Sequence, residues 1–398
     1  MQRTASECGQ TAFLLTVMLL AVNLRAPITG VGSLVSIIRD DLGVSNTVMG
    51  LLTTIPMVVF AAVSLLAAPL TKKLGLGRGI FLGLWFILAG ELVRSFTTSL
   101  GLFWGTALLS VGIGLLNVLC VGLIKQRAAP RRLGLATSAY TTAMALGATF
   151  SIAASVPLAQ GLGLGWRITL GIYAAVAVLT LAVWAPQYGR PENQTPPEAP
   201  GKRQFGRMIR SPLAWQLTFF MGTQSLLFYC INAWWPSILQ GRGFTVEAAA
   251  LGATVLQVVS IPSTFLVPIL CSRFRTRNML LCFNGFYMVG LLIFFFARSV
   301  FLHYAGCVVL AVGMGSTLSF CTMFYSLRTR TASEAAAVSG LAQSAGNLMA
   351  AVGPVFMGAL FDATGSWTLP LEFLVAILAA MIVFSFLCAR ERFVFKET

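Results

Sequence analysis

Arg25 lies near the middle of an unbroken apolar run, residues 13–38. A guanidinium cannot shed its charge, and a cation at the centre of a lipid-spanning helix costs about 2.5–3.5 kcal/mol. It must therefore face a protein interior, a water-filled cavity or an anion. What such a group can do is bind. It can hold a small planar anion through two parallel hydrogen bonds or stack on a flat ring. Most of the 12 acidic residues lie at the ends of apolar runs or outside them, so Arg25 has no evident counter-ion at its depth. Glu91 is the one acid inside a run; it stands three positions from Arg94, the spacing of neighbours on a helix face, and the two are expected to pair.

Uncharged polar side chains also fall within the apolar runs: Asn117, Tyr140, Gln224, Tyr229, Asn232, Gln257, Gln343 and Asn347. Gln224 or Ser225 stands at the depth of Arg25 in the second half of the chain, which leaves the charge on one side only. Gln343 and Asn347, four apart, share a helix face. Each of these groups can contact a solute or hydrogen-bond a neighbouring helix. Trp234 and Trp235, just before Pro236, are expected at the membrane interface.

Such residues need elements that carry them through an apolar medium. Hydrophobic residues make up 57% of the chain and charged residues 10%, against about 25% charged in soluble domains. Twelve runs are long enough to span a bilayer: about 13–38, 46–70, 79–97, 101–124, 134–160, 166–185, 212–240, 246–270, 279–297, 302–327, 334–361 and 368–388. Barrel strands would alternate polar and apolar residues. These runs do not, so helices are expected, and an all-α integral membrane protein with them.

The net charge of +15 is distributed by topology. With the N-terminus inside, 21 of the 27 Lys and Arg fall on cytoplasmic ends and loops, and only Arg39, Arg94, Arg167, Arg242 and Arg298 fall on outer ones. This is the positive-inside bias. It predicts cytoplasmic termini and a lipid bilayer, not nucleic acid, as the partner. The eight cysteines form no C-x-x-C pair, and one His303 cannot build a metal site. There is no P-loop, no G-x-S-x-G and no clustered catalytic pair, so neither an enzyme nor an ATP-driven pump is expected, and no cofactor.

The chain repeats itself once. GIGLLNVLC at 112–120 returns as GMGSTLSFC at 313–321, and Gly165-Trp166 as Ser366-Trp367, both at an offset of 201. Pro69 to Arg78 matches Pro268 to Arg277 at an offset of 199. Gly43-Val44-Ser45 and Gly243-Phe244-Thr245 occupy equivalent places, each offering a helix N-cap. Gly112, Gly114, Gly313 and Gly315 are expected where helices approach closely, and 346–358 reads as a packing or hinge feature. A polar, Pro-rich stretch at 186–211 separates six spans from six. The expected organisation is a bundle at 1–185, a cytoplasmic linker at 186–211 and a second bundle at 212–398.

The pattern resembles the major facilitator superfamily along the whole chain. The stretch APLTKKLGLGR at 68–78 is similar to its loop 2–3 signature at Leu70, Lys73, Gly75 and Arg78, with Lys72 where an Asp is usual. NLRAPITGVGSL at 23–34, GLLTTIPMVVFA at 50–61, NVLCVGLIKQR at 117–127, SPLAWQ at 211–216 and SGLAQSAG at 339–346 resemble the cyanate-transporter family, which includes nitroimidazole exporters. The region 211–239 looks closest to the exporters. The resemblance implies two pseudo-symmetric six-helix bundles with a cavity lined by the first, fourth, seventh and tenth spans. It implies a conformational role for Lys73, Gly75 and Arg78, and substrate contacts at Arg25, Asn23, Asn117, Tyr140, Gln224, Tyr229, Gln257, Gln343 and Asn347.

The expected function is secondary transport of a small anionic or planar polar solute across a bacterial inner membrane by alternating access, in a monomer. Export of 2-nitroimidazole-like compounds is the favoured direction. The alternative is proton-coupled uptake of cyanate or another small anion, with Glu91 as proton carrier.

Overall fold

The structure is a computed structural model that describes the backbone of residues 2–127, 133–189, 206, 208–297, 299–330, 332–390 and 392–394; side chains at 2–11, 64–74 and several isolated positions are outside the description. The described elements are helical: α1 (Gln2–Leu42), α2 (Asn46–Phe96), α3 (Ser99–Arg127), α4 (Leu133–Val156), α5 (Gly165–Trp184), α6 (Pro212–Gln240), α7 (Val246–Arg273), α8 (Thr276–Phe296), α9 (Val300–Leu327), α10 (Ala332–Thr364) and α11 (Thr368–Ala389). A π-helical turn, Pro157–Gly161, follows α4.

Eleven segments are long and apolar enough to cross a membrane, two of them on either side of a break in α2. The twelfth expected span is α6. It has the length, 29 residues, but carries Gln216, Gln224, Ser225 and Asn232 along it and is mostly buried inside its unit. A helix enclosed by protein can be less apolar than one that faces lipid.

The break in α2 is at Gly75, whose φ of 77° and ψ of 165° interrupt otherwise helical backbone. That region is open essentially to glycine alone. The loop expected between the second and third spans is therefore a sharp bend within one helix. Its counterpart in the second half, between α7 and α8, uses no glycine: Phe274 and Arg275 are both extended. Gly75→Ala should lower stability by about 1–3 kcal/mol, read as a drop in the thermal midpoint in detergent.

Internal contacts group residues 1–42 with 58–198 (unit 1) and 43–57 with 199–398 (unit 2). The first turns of α2 thus belong to unit 2 and its remainder to unit 1. In unit 1, α1 packs chiefly on α4 and then α5; in unit 2, α6 packs on α10 and α7 on α9.

Glycines set the close approaches, and they do so twice. A methyl on Gly112 would overlap Gly83 and the backbone of Ile87; one on Gly313 would overlap the backbone of Tyr287, 200 positions on. Gly114 abuts Val63, and Gly315 abuts the Ser260 carbonyl. Gly90 meets the Leu109 amide as Gly290 meets that of Leu310. The small residues of the repeated motif are packing points in both halves, as expected.

The repeated caps also form. Ser45 Oγ accepts from the Val48 amide at 3.3 Å, and Thr245 Oγ1 from the Ala248 amide at 3.3 Å. Gly43 and Gly243, just before them, both have positive φ. Within unit 2, Asp362 near the end of α10 adds a second cap to α2. Its carboxylate accepts from the amides of Asn46 (3.2 Å) and Thr47 (2.7 Å) and from both their side chains. A carboxylate there satisfies orphan amides and complements the positive helix end.

Trp234 and Trp235 correct an expectation. They are 1% and 0% exposed rather than interfacial. Trp234 donates to the Pro354 carbonyl at 2.9 Å and Trp235 to Cys307 Sγ at 3.3 Å, so each indole N–H has an internal partner.

Candidate functional site

In unit 1 the site is built around Pro27 of α1. Pro27 sits inside this helix and supplies no amide for the carbonyl one turn back. Three carbonyls beside it accept side-chain donors. Thr29 donates to Arg25 O at 3.0 Å, Ser151 to Ala26 O at 2.6 Å and Arg94 to Pro27 O at 2.7 Å. Gly30, one turn on, leaves room for Ser151, Ser155 and the Tyr173 hydroxyl; a methyl there would strike Ser155 Oγ at 2.7 Å. Ser151 and Tyr173 hydrogen-bond at 2.6 Å. α4, α5 and the second part of α2 thus hold α1 in place where Arg25 projects.

Arg25 is half-buried and lies within electrostatic range of the Tyr140 phenol on α4, which is 7% exposed. Tyr140 is in turn near Cys120 on α3, and Asn117, also half-buried, is one turn before Cys120. Arg25 and Tyr140 are therefore brought together in unit 1, with Asn117 on the adjoining helix. Asn23 is 1% exposed; its Nδ2 donates to Thr180 Oγ1 on α5 and to Leu19 O, both at 2.8 Å, and its Oδ1 has no partner among the described residues. It joins α1 to α5.

Glu91 and Arg94 form the expected pair, at 2.6 Å, with side chains 0% and 1% exposed. Arg94, counted from sequence with the outer loops, is instead inside unit 1 with one hand on Pro27. Glu91 Oε1 and Arg94 Nε have no partner among the described residues. Sequence reasoning found the pair through its i,i+3 spacing; nothing local in sequence signalled its contact with α1.

In unit 2, Gln224 on α6 and Gln257 on α7 are 4% and 8% exposed. Gln224 Oε1 accepts from Ser225 at 3.4 Å, and Gln257 Oε1 has no partner among the described residues. Tyr229 is half-buried edge-on to Phe228, with centroids 5.3 Å apart. On α10, Gln343 is exposed and donates to Ser339 at 3.1 Å, while Asn347 is half-buried. Gly346 packs against Gly222, so α10 brings Asn347 close along α6. Gly75 lies at the bend of α2, Arg78 is exposed just beyond it, and the Lys73 side chain lies outside the described residues.

Among the described residues these groups supply the Arg25 cation, the Tyr140 phenol and several amides. The profile of the Major Facilitator Superfamily matches residues 13–354. The chain belongs to that superfamily. It is 39% identical to the uncharacterised transporter YycB of Bacillus subtilis (strain 168), over 98% of this chain and 96% of that one. It is 36% identical to the 2-nitroimidazole transporter of Escherichia coli (strain K12), over 94% of each. To the cyanate transport protein CynX of the same organism it is 24% identical, over 96% and 98%. These relatives place it with the cyanate-transporter-like family. Among solved structures, a D-xylose-proton symporter superposes with a TM-score of 0.77 at 14% identity, covering 96% of this chain and 98% of that one; at that identity the likeness concerns the fold. The protein is a multi-pass membrane transporter of small solutes.

Proposed function

We propose that this superfamily member exports small planar polar or anionic compounds, of the 2-nitroimidazole type, by alternating access of two six-helix bundles. The observation that carries the reading is Arg25: a permanent cation two residues before Pro27 of α1, half-buried, beside the Tyr140 phenol. A guanidinium and a phenol together suit a flat ring bearing a nitro or carboxylate group. The 36% identity to the 2-nitroimidazole transporter over 94% of both chains supports that substrate class. An inside-negative potential of 100 mV acts with about 2.3 kcal/mol on each charge moved, so it drives a monoanion outward without further coupling. The distribution of basic residues supports a bacterial inner-membrane location with both termini in the cytoplasm, and the site needs only one copy of the chain.

The test is ligand-dependent thermal stabilisation of the purified protein, wild type beside Arg25→Ala, with cyanate, nitrate, small carboxylates and nitroimidazoles. Loss of one charge-assisted contact, about 1.5–3 kcal/mol, predicts roughly tenfold to hundredfold weaker binding of a ring compound by the variant. Equal stabilisation of both proteins would make Arg25 structural and end this reading.

The 24% identity to the cyanate transport protein over 96% of the chain favours one second reading, proton-coupled uptake of a small anion with Glu91 carrying the proton. Uphill uptake of cyanate into vesicles that survives Glu91→Gln would remove it.

A further inference from the structure

A cavity of about 990 Å³ opens in unit 2 where α7, α9 and α11 end and α8 begins. It lies where four candidate spans stop, at Cys271, Thr276, Tyr325 and Ala389, and hence at a bilayer surface. Four arginines line it: Arg275, Arg277, Arg328 and Arg390. Arg328 is fixed. It is 9% exposed, and it donates to the Cys388 carbonyl at 2.9 Å and to the Ala389 carbonyl at 2.8 Å, joining the end of α9 to the last turn of α11. Arg275, Arg277 and Arg390 are exposed, and no described carboxylate lies in ion-pair range of them. Arg275 is the N-cap of α8 and no side chain caps that helix, so the positive end of 21 residues of helix faces the same space. No acid among the described residues lines the cavity.

Concentrated uncompensated cations call for an anion, and the remaining lining says which kind. Phe274 and Leu327, 55% and 46% exposed, stand among the arginines. A soluble phosphate has no use for them; an acyl chain or glycerol backbone does. The volume also exceeds what a single phosphate fills and suits a larger ligand. We propose that this cavity is a binding site for an anionic phospholipid, whose headgroup phosphate is held by Arg275, Arg277 and Arg390 against the wall made by Arg328. The site is separate from Arg25 and does not depend on the transported solute or its direction.

The experiment titrates the delipidated full-length protein in neutral detergent with cardiolipin, phosphatidylglycerol, phosphatidylcholine or inorganic phosphate, reading the thermal midpoint. Cardiolipin and phosphatidylglycerol should raise the midpoint of wild type, and phosphatidylcholine should not. Each basic side chain near an anionic lipid surface contributes about a fivefold factor, so Arg275→Ala/Arg277→Ala/Arg390→Ala should bind roughly hundredfold more weakly. The matched triple Lys variant should retain most of the effect, and Arg242→Ala, an exposed cation outside the cavity, should titrate as wild type. The proposal is overturned if the triple Ala variant titrates as wild type, if phosphatidylcholine stabilises equally, or if inorganic phosphate alone reproduces the whole shift.

Discussion

Glu91→Gln is expected to lower stability by roughly 3–5 kcal/mol, the cost of leaving one member of a buried ion pair without its partner. Arg94 is 1% exposed and cannot reach water to recover the loss. Its remaining described acceptor is the Pro27 carbonyl at 2.7 Å. The consequence should spread to α1, because that contact is one of three side-chain bonds to the carbonyls of residues 25–27. Replacing both members by apolar residues, Glu91→Leu/Arg94→Met, removes the uncompensated charge and should restore most of the stability. Thermal unfolding of the three proteins gives the order directly: wild type and double variant close together, single variant far below. If the single variant unfolds with wild type, the pair contributes nothing and the buried geometry has been misjudged. The double variant also separates stability from binding. Should it fold yet lose stabilisation by a ring compound, Arg94 acts through α1 on Arg25.

The second large effect belongs to the repeated glycines. Gly313→Leu forces a side chain into the Tyr287 backbone, where no rotamer change by a neighbour makes room. Overpacking of this kind costs about 1–3 kcal/mol where side chains can yield; against backbone the loss should reach or pass the upper end, because α8 and α9 must move apart. Gly112→Leu should behave alike, since Gly83 and Ile87 meet it with backbone too. Gly285→Leu is the control. It lies on α8, exposed, with nothing within 4 Å of an added Cβ, and should be neutral. Folded yield and thermal midpoint in detergent report all three. Equal losses at Gly285 and Gly313 would mean that the close backbone approach at Gly313 does not set the cost.

What was legible in sequence follows from range. The helices are legible because hydropathy accumulates over many residues, and the caps at Ser45 and Thr245 because the bonds span three positions. The Glu91–Arg94 pair is legible for the same reason. Partners far along the chain are not. Nothing beside Asn23 in sequence announces that Thr180, 157 residues on, takes its amide N–H. Trp234 and Trp235 look like interfacial anchors until Pro354 and Cys307 are found beside them. Arg94 reads as a loop residue at the end of an apolar run, and only the position of Pro27 explains why it turns inward. The bend at Gly75 shows the converse. The glycine is visible in the sequence, but a short basic stretch reads as a loop, and positive φ alone distinguishes a bend from one.

The placement of the cysteines has a practical consequence for labelling chemistry. Cys120, Cys230, Cys307, Cys321 and Cys388 are buried, Cys271 is half-buried, and Cys282 is exposed on α8. A maleimide should therefore leave the five interior thiols untouched while the fold is intact, and react only slowly with Cys271 and with Cys282, whose exposed side lies within the span Thr276–Phe296 and meets lipid or detergent rather than water. The native chain is close to a ready background for single-site probes. Removal of Cys282 and Cys271, with Cys8 in the N-terminal segment, would let one introduced thiol report on any chosen helix. Delayed reaction of the interior five would then serve as a built-in alarm for unfolding in the same tube.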